Sequence, residues 1–258
     1  MCLINFQFGD HPEYKLIVAA NRDESYDRPT KEVHYWDDEP YILAGRDLRG
    51  MGTWLGITKT GRIAMLTNIR TDKEMLESYR KTRGELVSGF LSSSAAPEEY
   101  LSQLIPDSGE YAGFNLLVGD ADHLYYMNNY ENQIVQVTDG VHGLSNHYLD
   151  TDWPKVIRGM SLLESLTAEA FDTEAVFDLL RDKEKATDSE LPETGLSRGL
   201  EYALSSMFID TPYYGTRCST VLTVSHDNEV RLSERTYLHD DATGQVDYDF
   251  KIDSGAAG

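Results

Sequence analysis

The first twenty residues constrain the fold most. Cys2, Ile4, Phe6 and Phe8 alternate with Leu3, Asn5 and Gln7, so residues 2–8 read as a strand with one apolar face. Residues 9–13 contain Gly9, Asp10 and Pro12 and read as a turn, and residues 14–20 form a second apolar run. Two such runs about a short turn predict an antiparallel hairpin. With the turn centred near His11, paired numbers sum to about 22, which sets Cys2 opposite Ala20. The polar run Asn21-Arg22-Asp23-Glu24 then emerges at the strand end, beside Cys2.

The later pattern extends this start. Residues 33–43 read as strand or loop. Residues 54–58 and 62–67 read as a second hairpin around Lys59-Thr60-Gly61, with Gly52-Thr53-Trp54 beside residues 67–70. Apolar residues four apart predict helices over 84–91, 97–104, 154–166 and 173–181. Short strands are expected over 114–119, 123–128 and 133–137, and a closing hairpin over 217–225 and 229–237 around Asp227-Asn228. The order strands, helices, strands, helices, strands predicts an α+β fold, or layered sheets with helices outside, rather than a βαβ repeat. The expectation is one domain over residues 1–258.

Composition narrows the function. Basic residues number 23 against 44 acidic ones, a net charge of −21. Nucleic-acid binding needs a basic face, so that class is excluded, as is docking on an anionic membrane. The acids are dispersed and lysine is scarcer than arginine, which suits a highly solvated surface and would be explained by a halophilic source. No apolar run approaches a membrane span, and the start lacks the basic n-region of a signal peptide. A cytoplasmic location without membrane insertion is the expectation. Cys2 and Cys218 make no disulfide framework, and the seven histidines make no zinc spacing.

Cys2 is the sharpest candidate for chemistry. Once Met1 is removed, Cys2 carries both a thiol and a free α-amine, and the amine is basic enough to take the thiol proton near neutrality. The plainer alternative is a small buried strand residue. Asp23 at the strand end suits an α-ammonium group and Arg22 suits a lowered thiol pKa; the alternative is an Arg22–Asp23 salt bridge. Asn68 ends an apolar strand, as an oxyanion donor or as a strand cap. Asn146, in Gly143-Leu144-Ser145-Asn146, is a second donor or an Asx-turn residue. Arg46-Asp47 and Arg217 are further polar residues near strand ends.

The runs Met1-Cys2, Ala20-Asn21-Arg22-Asp23-Glu24, Ala44-Gly45-Arg46-Asp47 and Gly52-Thr53-Trp54-Leu55-Gly56 recur in order in a known family. So do Leu66-Thr67-Asn68, Gly113-Phe114-Asn115-Leu116-Leu117, Leu144-Ser145-Asn146, Trp153-Pro154-Lys155-Val156 and Tyr214-Gly215-Thr216-Arg217. Over nearly its whole length the chain resembles the NRDE family, of the transport and Golgi organisation type. The resemblance implies a four-layer αββα sandwich of two antiparallel sheets, like the N-terminal nucleophile hydrolases of the choloylglycine hydrolase and penicillin V acylase group. It implies Cys2 as nucleophile, Asp23 as the acid near the amine, and Asn68 and Asn146 as oxyanion contributors, with Arg22 beside them. Asn21, Glu24 and Arg217 are the binding residues expected with them. That group's arginine lies three residues before its aspartate, where this chain has Ala20, so its substrates do not transfer directly. The expected function is a cysteine amidohydrolase or acyl-transfer enzyme for non-peptide C–N bonds, with a small acyl or hydrophobic ligand and no required cofactor. The alternative is a non-catalytic carrier of haem or an acyl-coenzyme A, in a family associated with secretion and Golgi organisation in eukaryotes.

Overall fold

The computed structural model describes residues 2–71, 79, 81–168 and 171–253. Met1, whose removal the nucleophile reading requires, lies outside the described residues. β1 (Cys2–Phe8) and β2 (Tyr14–Ser25) form the opening hairpin. Its register corrects the expected one: Cys2 pairs with Arg22, Ile4 with Ala20 and Phe8 with Leu16. The loop keeps its expected residues, 9–13, but its centre lies one residue later, at Pro12. Gly9, at φ 78°, closes it through its N–H to the Lys15 carbonyl at 2.9 Å, and His11 Nδ1 accepts the N–H of Glu13 and of Tyr14. A shift of two residues keeps every side chain on its expected face.

β2 does not stop at Ala20. It runs on through Asn21-Arg22-Asp23-Glu24 because β11 (Tyr214–Ser225) pairs along its whole length. Tertiary pairing overrides the low strand preference of Asn and Asp. β10 (Gly140–Leu144) flanks β1, while β12 (Glu229–Leu238) and β13 (Asp241–Lys251) follow β11, giving the order β10-β1-β2-β11-β12-β13. The second sheet takes its strands in chain order: β3 (Thr30–Tyr35), β4 (Ile42–Asp47), β5 (Leu55–Thr58), β6 (Ile63–Asn68), β7 (Phe114–Gly119), β8 (Leu124–Asn128) and β9 (Val135–Gln136). Neighbouring strands in both sheets pair antiparallel.

Alternation along the strands gives each sheet two apolar faces. Phe6, Phe8, Val18 and Leu222 of the first sheet meet Leu43, Ile57, Met65 and Leu117 of the second. On the outside of the second sheet, α1 (Gly84–Ser92) and α2 (Pro97–Leu104) set Leu86, Val87, Phe90 and Leu101 over Ala64, Leu116 and Val118. On the outside of the first, α3 (Pro154–Thr167) and α4 (Thr173–Leu180) set Val156, Leu163, Phe177 and Leu180 over Leu3, Ile17 and Ala19. The layers are therefore helix, sheet, sheet, helix, as expected. A short α5 (Arg198–Ala203), absent from the sequence reading, precedes β11. Among the described residues no helix is long and apolar enough to cross a membrane.

Candidate active site

The two pairings of β2 set Cys2, Arg22 and Cys218 abreast on three neighbouring strands, on the face turned toward the other sheet. Arg22 is buried and its guanidinium lies 4.3 Å from the centre of the Trp54 ring. Its Nη1 donates to Thr30 Oγ1 at 3.0 Å, and its charge is 3.9 Å from Glu24. The Arg22–Asp23 salt bridge weighed from sequence is not formed, because neighbours on a strand point to opposite faces. Asp23 points away from Arg22, and its Oδ1 accepts from Thr216 Oγ1 at 2.7 Å. Tyr214 Oη donates to the Asp23 carbonyl at 2.8 Å.

Cys2, Arg22, Asp23, Glu24, Trp54 and Asn68 line one cleft of about 250 Å³. Its wall also carries Arg28, Lys81, Arg83 and Asp47, so four cations stand against three acids on an otherwise acidic protein. Beyond Asn68 and Arg83 lies an apolar groove of about 380 Å³ lined by Ile69, Leu196, Leu200, Leu204 and Tyr214.

A buried polar network backs the cleft. Asn146 Nδ2 donates to both Asn68 oxygens, the backbone one at 3.2 Å and Oδ1 at 3.1 Å. Asn146 Oδ1 accepts from Arg70 Nη2 at 3.0 Å and from Lys155 Nζ at 3.4 Å. Arg70 Nη1 is paired with Glu201 of α5 at 2.7 Å, and both partners are buried. Ser145 Oγ ties this corner to the Cys2 carbonyl at 3.2 Å.

Burial dominates the titrations here. It pushes the Cys2 thiol up, against the smaller lowering influence of Arg22, so the low thiol pKa expected from Arg22 is corrected. Burial also raises the Asp23 carboxyl, opposed first by the Lys155 charge. Lys155 is pushed down to about 7 by burial and then by Arg70, with Asp23 and Cys2 acting the other way.

The expected site residues divide cleanly. Cys2, Arg22, Asp23, Glu24 and Asn68 meet at the cleft. Asn146 stands behind Asn68, with its amide nitrogen already engaged by it. Asn21 stands apart from them: one residue from Arg22, it faces the helix layer, donating to the carbonyls of Leu180 at 2.8 Å and Met207 at 3.0 Å and accepting from Ser219. Arg217 stands apart as well. A bulge between Thr216 and Cys218 takes it off the ladder. Its Nη1 donates to the carbonyls of Ser25 at 2.8 Å and Arg28 at 3.2 Å, and it lines a separate cavity with Cys218 and Glu234. Sequence reasoning missed Lys155, Arg70, Glu201 and Thr216. For Lys155 a signal existed: it shares the buried stripe of α3 with Val156, Gly159 and Leu163.

Comparison with known proteins agrees with this architecture. The profile of the family described as Transport and Golgi organisation 2 matches residues 1–239. The chain is similar to the mouse Transport and Golgi organization 2 homolog, 33% identical over 94% of this chain and 95% of that protein. It is likewise similar to the human Transport and Golgi organization protein 2 homolog, 34% identical over 93% and 95%. Its fold is similar to that of a conjugated bile acid hydrolase from Clostridium perfringens, at a TM-score of 0.53 and 9% identity over 96% of this chain and 92% of that one.

Proposed function

The chain belongs to the Transport and Golgi organisation 2 family, and from that premise we propose that it is a cysteine hydrolase or acyl-transfer enzyme of the N-terminal nucleophile type, acting on linear non-peptide amides. The observation that carries the reading is the placement of Cys2 in a cleft it shares with Asp23 and Asn68. Removal of Met1 would leave the Cys2 thiol and a free α-amine on one residue. The amine takes the thiol proton, and the thiolate attacks the acyl carbon of the amide. The C–N bond then breaks, the α-ammonium returns its proton to the leaving amine, and water or an acceptor amine releases the acyl group from sulfur. Asp23 holds the ammonium in its charged phase. Asn68, at the cleft wall, donates to the oxyanion in this reading, a contact commonly worth about 3 kcal/mol. Asn146 keeps Asn68 in place and joins as donor when one of its two N–H bonds is exchanged for the oxyanion.

The test is turnover of linear N-acyl amides, among them N-acyl amino acids, bile-salt conjugates and penicillin V, by wild type and Cys2→Ala. The reading expects amine release that vanishes in the variant. Equal release by both sinks it. A second reading rests on the apolar groove beside the cationic cleft: a carrier of haem or an acyl-coenzyme A, ligands with an apolar body and anionic groups. A carrier keeps stoichiometric binding in Cys2→Ala and releases no product.

A further inference from the structure

Lys155 carries a charge that the reaction above does not use. It stands in the first turn of α3, 4% exposed, and an ammonium is costly to bury without partners. Its Nζ donates to the Leu204 carbonyl at 3.3 Å and to Asn146 Oδ1 at 3.4 Å. The charges that act on it are, in order, those of Arg70 beyond β6, Asp23 of β2, Cys2 of β1 and Lys185 beyond α4. Glu201 of α5 is engaged by Arg70. Two cations, Lys155 and Arg70, thus donate to one amide oxygen. That decides which way the Asn146 amide lies. Turned over, its N–H groups would meet two cationic donors and its oxygen would lose both. With the oxygen held, Nδ2 faces Asn68 and the cleft wall.

We propose that Lys155 is a positioning residue of the nucleophile site: its ammonium orients the Asn146 amide toward Asn68 and sets the positive field in which Cys2 and Asp23 ionise. The proposal rests on the reading of Cys2 as the nucleophile. Since Lys155 is held down to about 7, that field is full in mild acid and fades above neutrality.

The probe is iodoacetamide on the full chain, read as the pH profile of Cys2 alkylation by peptide mapping. Lys155→Met is close in volume and removes a buried charge, so it should stay folded with an unchanged or higher Tm at pH 6. At pH 6 its Cys2 labelling should be about tenfold slower than wild type because it lacks the neighbouring cation, and the gap should close as pH rises above 7, where wild-type Lys155 loses its charge. Lys155→Arg retains a charge and should label within about threefold of wild type at pH 7. A wild-type profile in folded Lys155→Met overturns the proposal. If Lys155→Met does not fold, Lys155→Arg decides: retained reactivity supports the role, and a tenfold loss overturns it. Neither readout needs a substrate, so absence of amide turnover would count against the hydrolase reading and leave this test intact.

Discussion

Arg22 has a thiol on either side, and the two thiols differ in their surroundings. Cys2 opens to the main cleft, whereas Cys218 is pushed well above the usual range by its own burial and then by the charge of the buried Glu234 beside it. Burial raises Cys2 as well, with a smaller push from the Asp23 charge, but Arg22 opposes them and this thiol opens to the cleft. Iodoacetamide at pH 8 should therefore label Cys2 well before Cys218, which peptide mapping reads directly; faster labelling of Cys218 would contradict the assignment. Asp23 separates function from stability. Its folded pKa is raised above the ordinary 3.8, so the folded chain binds this proton more tightly than the unfolded one, and stability falls as pH rises through that range. Asp23→Asn should raise Tm at pH 7, the gain should shrink toward zero below pH 3.8, and Cys2-dependent turnover should be lost. At this scale the sequence was informative where residue type alone carries meaning: a thiol beside the initiator Met, and a carboxyl and an amide at strand ends. It was silent on Arg70 and gave Lys155 only a place on a helix face, because both roles depend on which segment closes over them.

The elements show why legibility stopped there. α1 to α4 follow from apolar spacing and land within a residue or two of expectation. β10, α5 and β13 carry no such pattern: β13 is largely exposed and is held by pairing with β12. The polar end of β2 becomes strand only because β11 covers it, and no local propensity announces that. Asn21 shows the consequence. Its amide pins β2 to the carbonyls of Leu180 and Met207, so Asn21→Ala should cost about 2 kcal/mol through unmet buried carbonyls. Because it faces the helix layer, the folded variant should alkylate Cys2 at the wild-type rate. Glu201 plays a similar part for α5, holding Arg70 from behind while Thr194 Oγ1 donates to it. Breaking that buried pair with Glu201→Ala should cost about 3 kcal/mol or more in urea unfolding and leave an uncompensated Arg70.

For the molecule as a whole, the αββα layering was legible because strand–helix order and the long run of matching motifs pointed the same way. The net charge of −21 bears on conditions rather than on fold. Self-repulsion of a compact acidic surface weakens as salt screens it, so Tm should rise between low salt and about 1 M KCl; a fall would show that the native ion pairs outweigh the repulsion. The candidate site gathers in one corner, where Arg22, Asp23 and Glu24 of the second strand and Asn68, backed by Asn146, share a cleft with the Cys2 thiol. That convergence matters for chemistry only if Cys2 becomes the first residue. Intact-protein mass spectrometry, with the N-terminal peptide sequenced, measures this directly. The expected chain lacks Met1, begins with Cys2 and gains a single acyl adduct there from a turned-over amide; a chain that retains Met1, or an adduct placed elsewhere, rules out Cys2 as an N-terminal nucleophile.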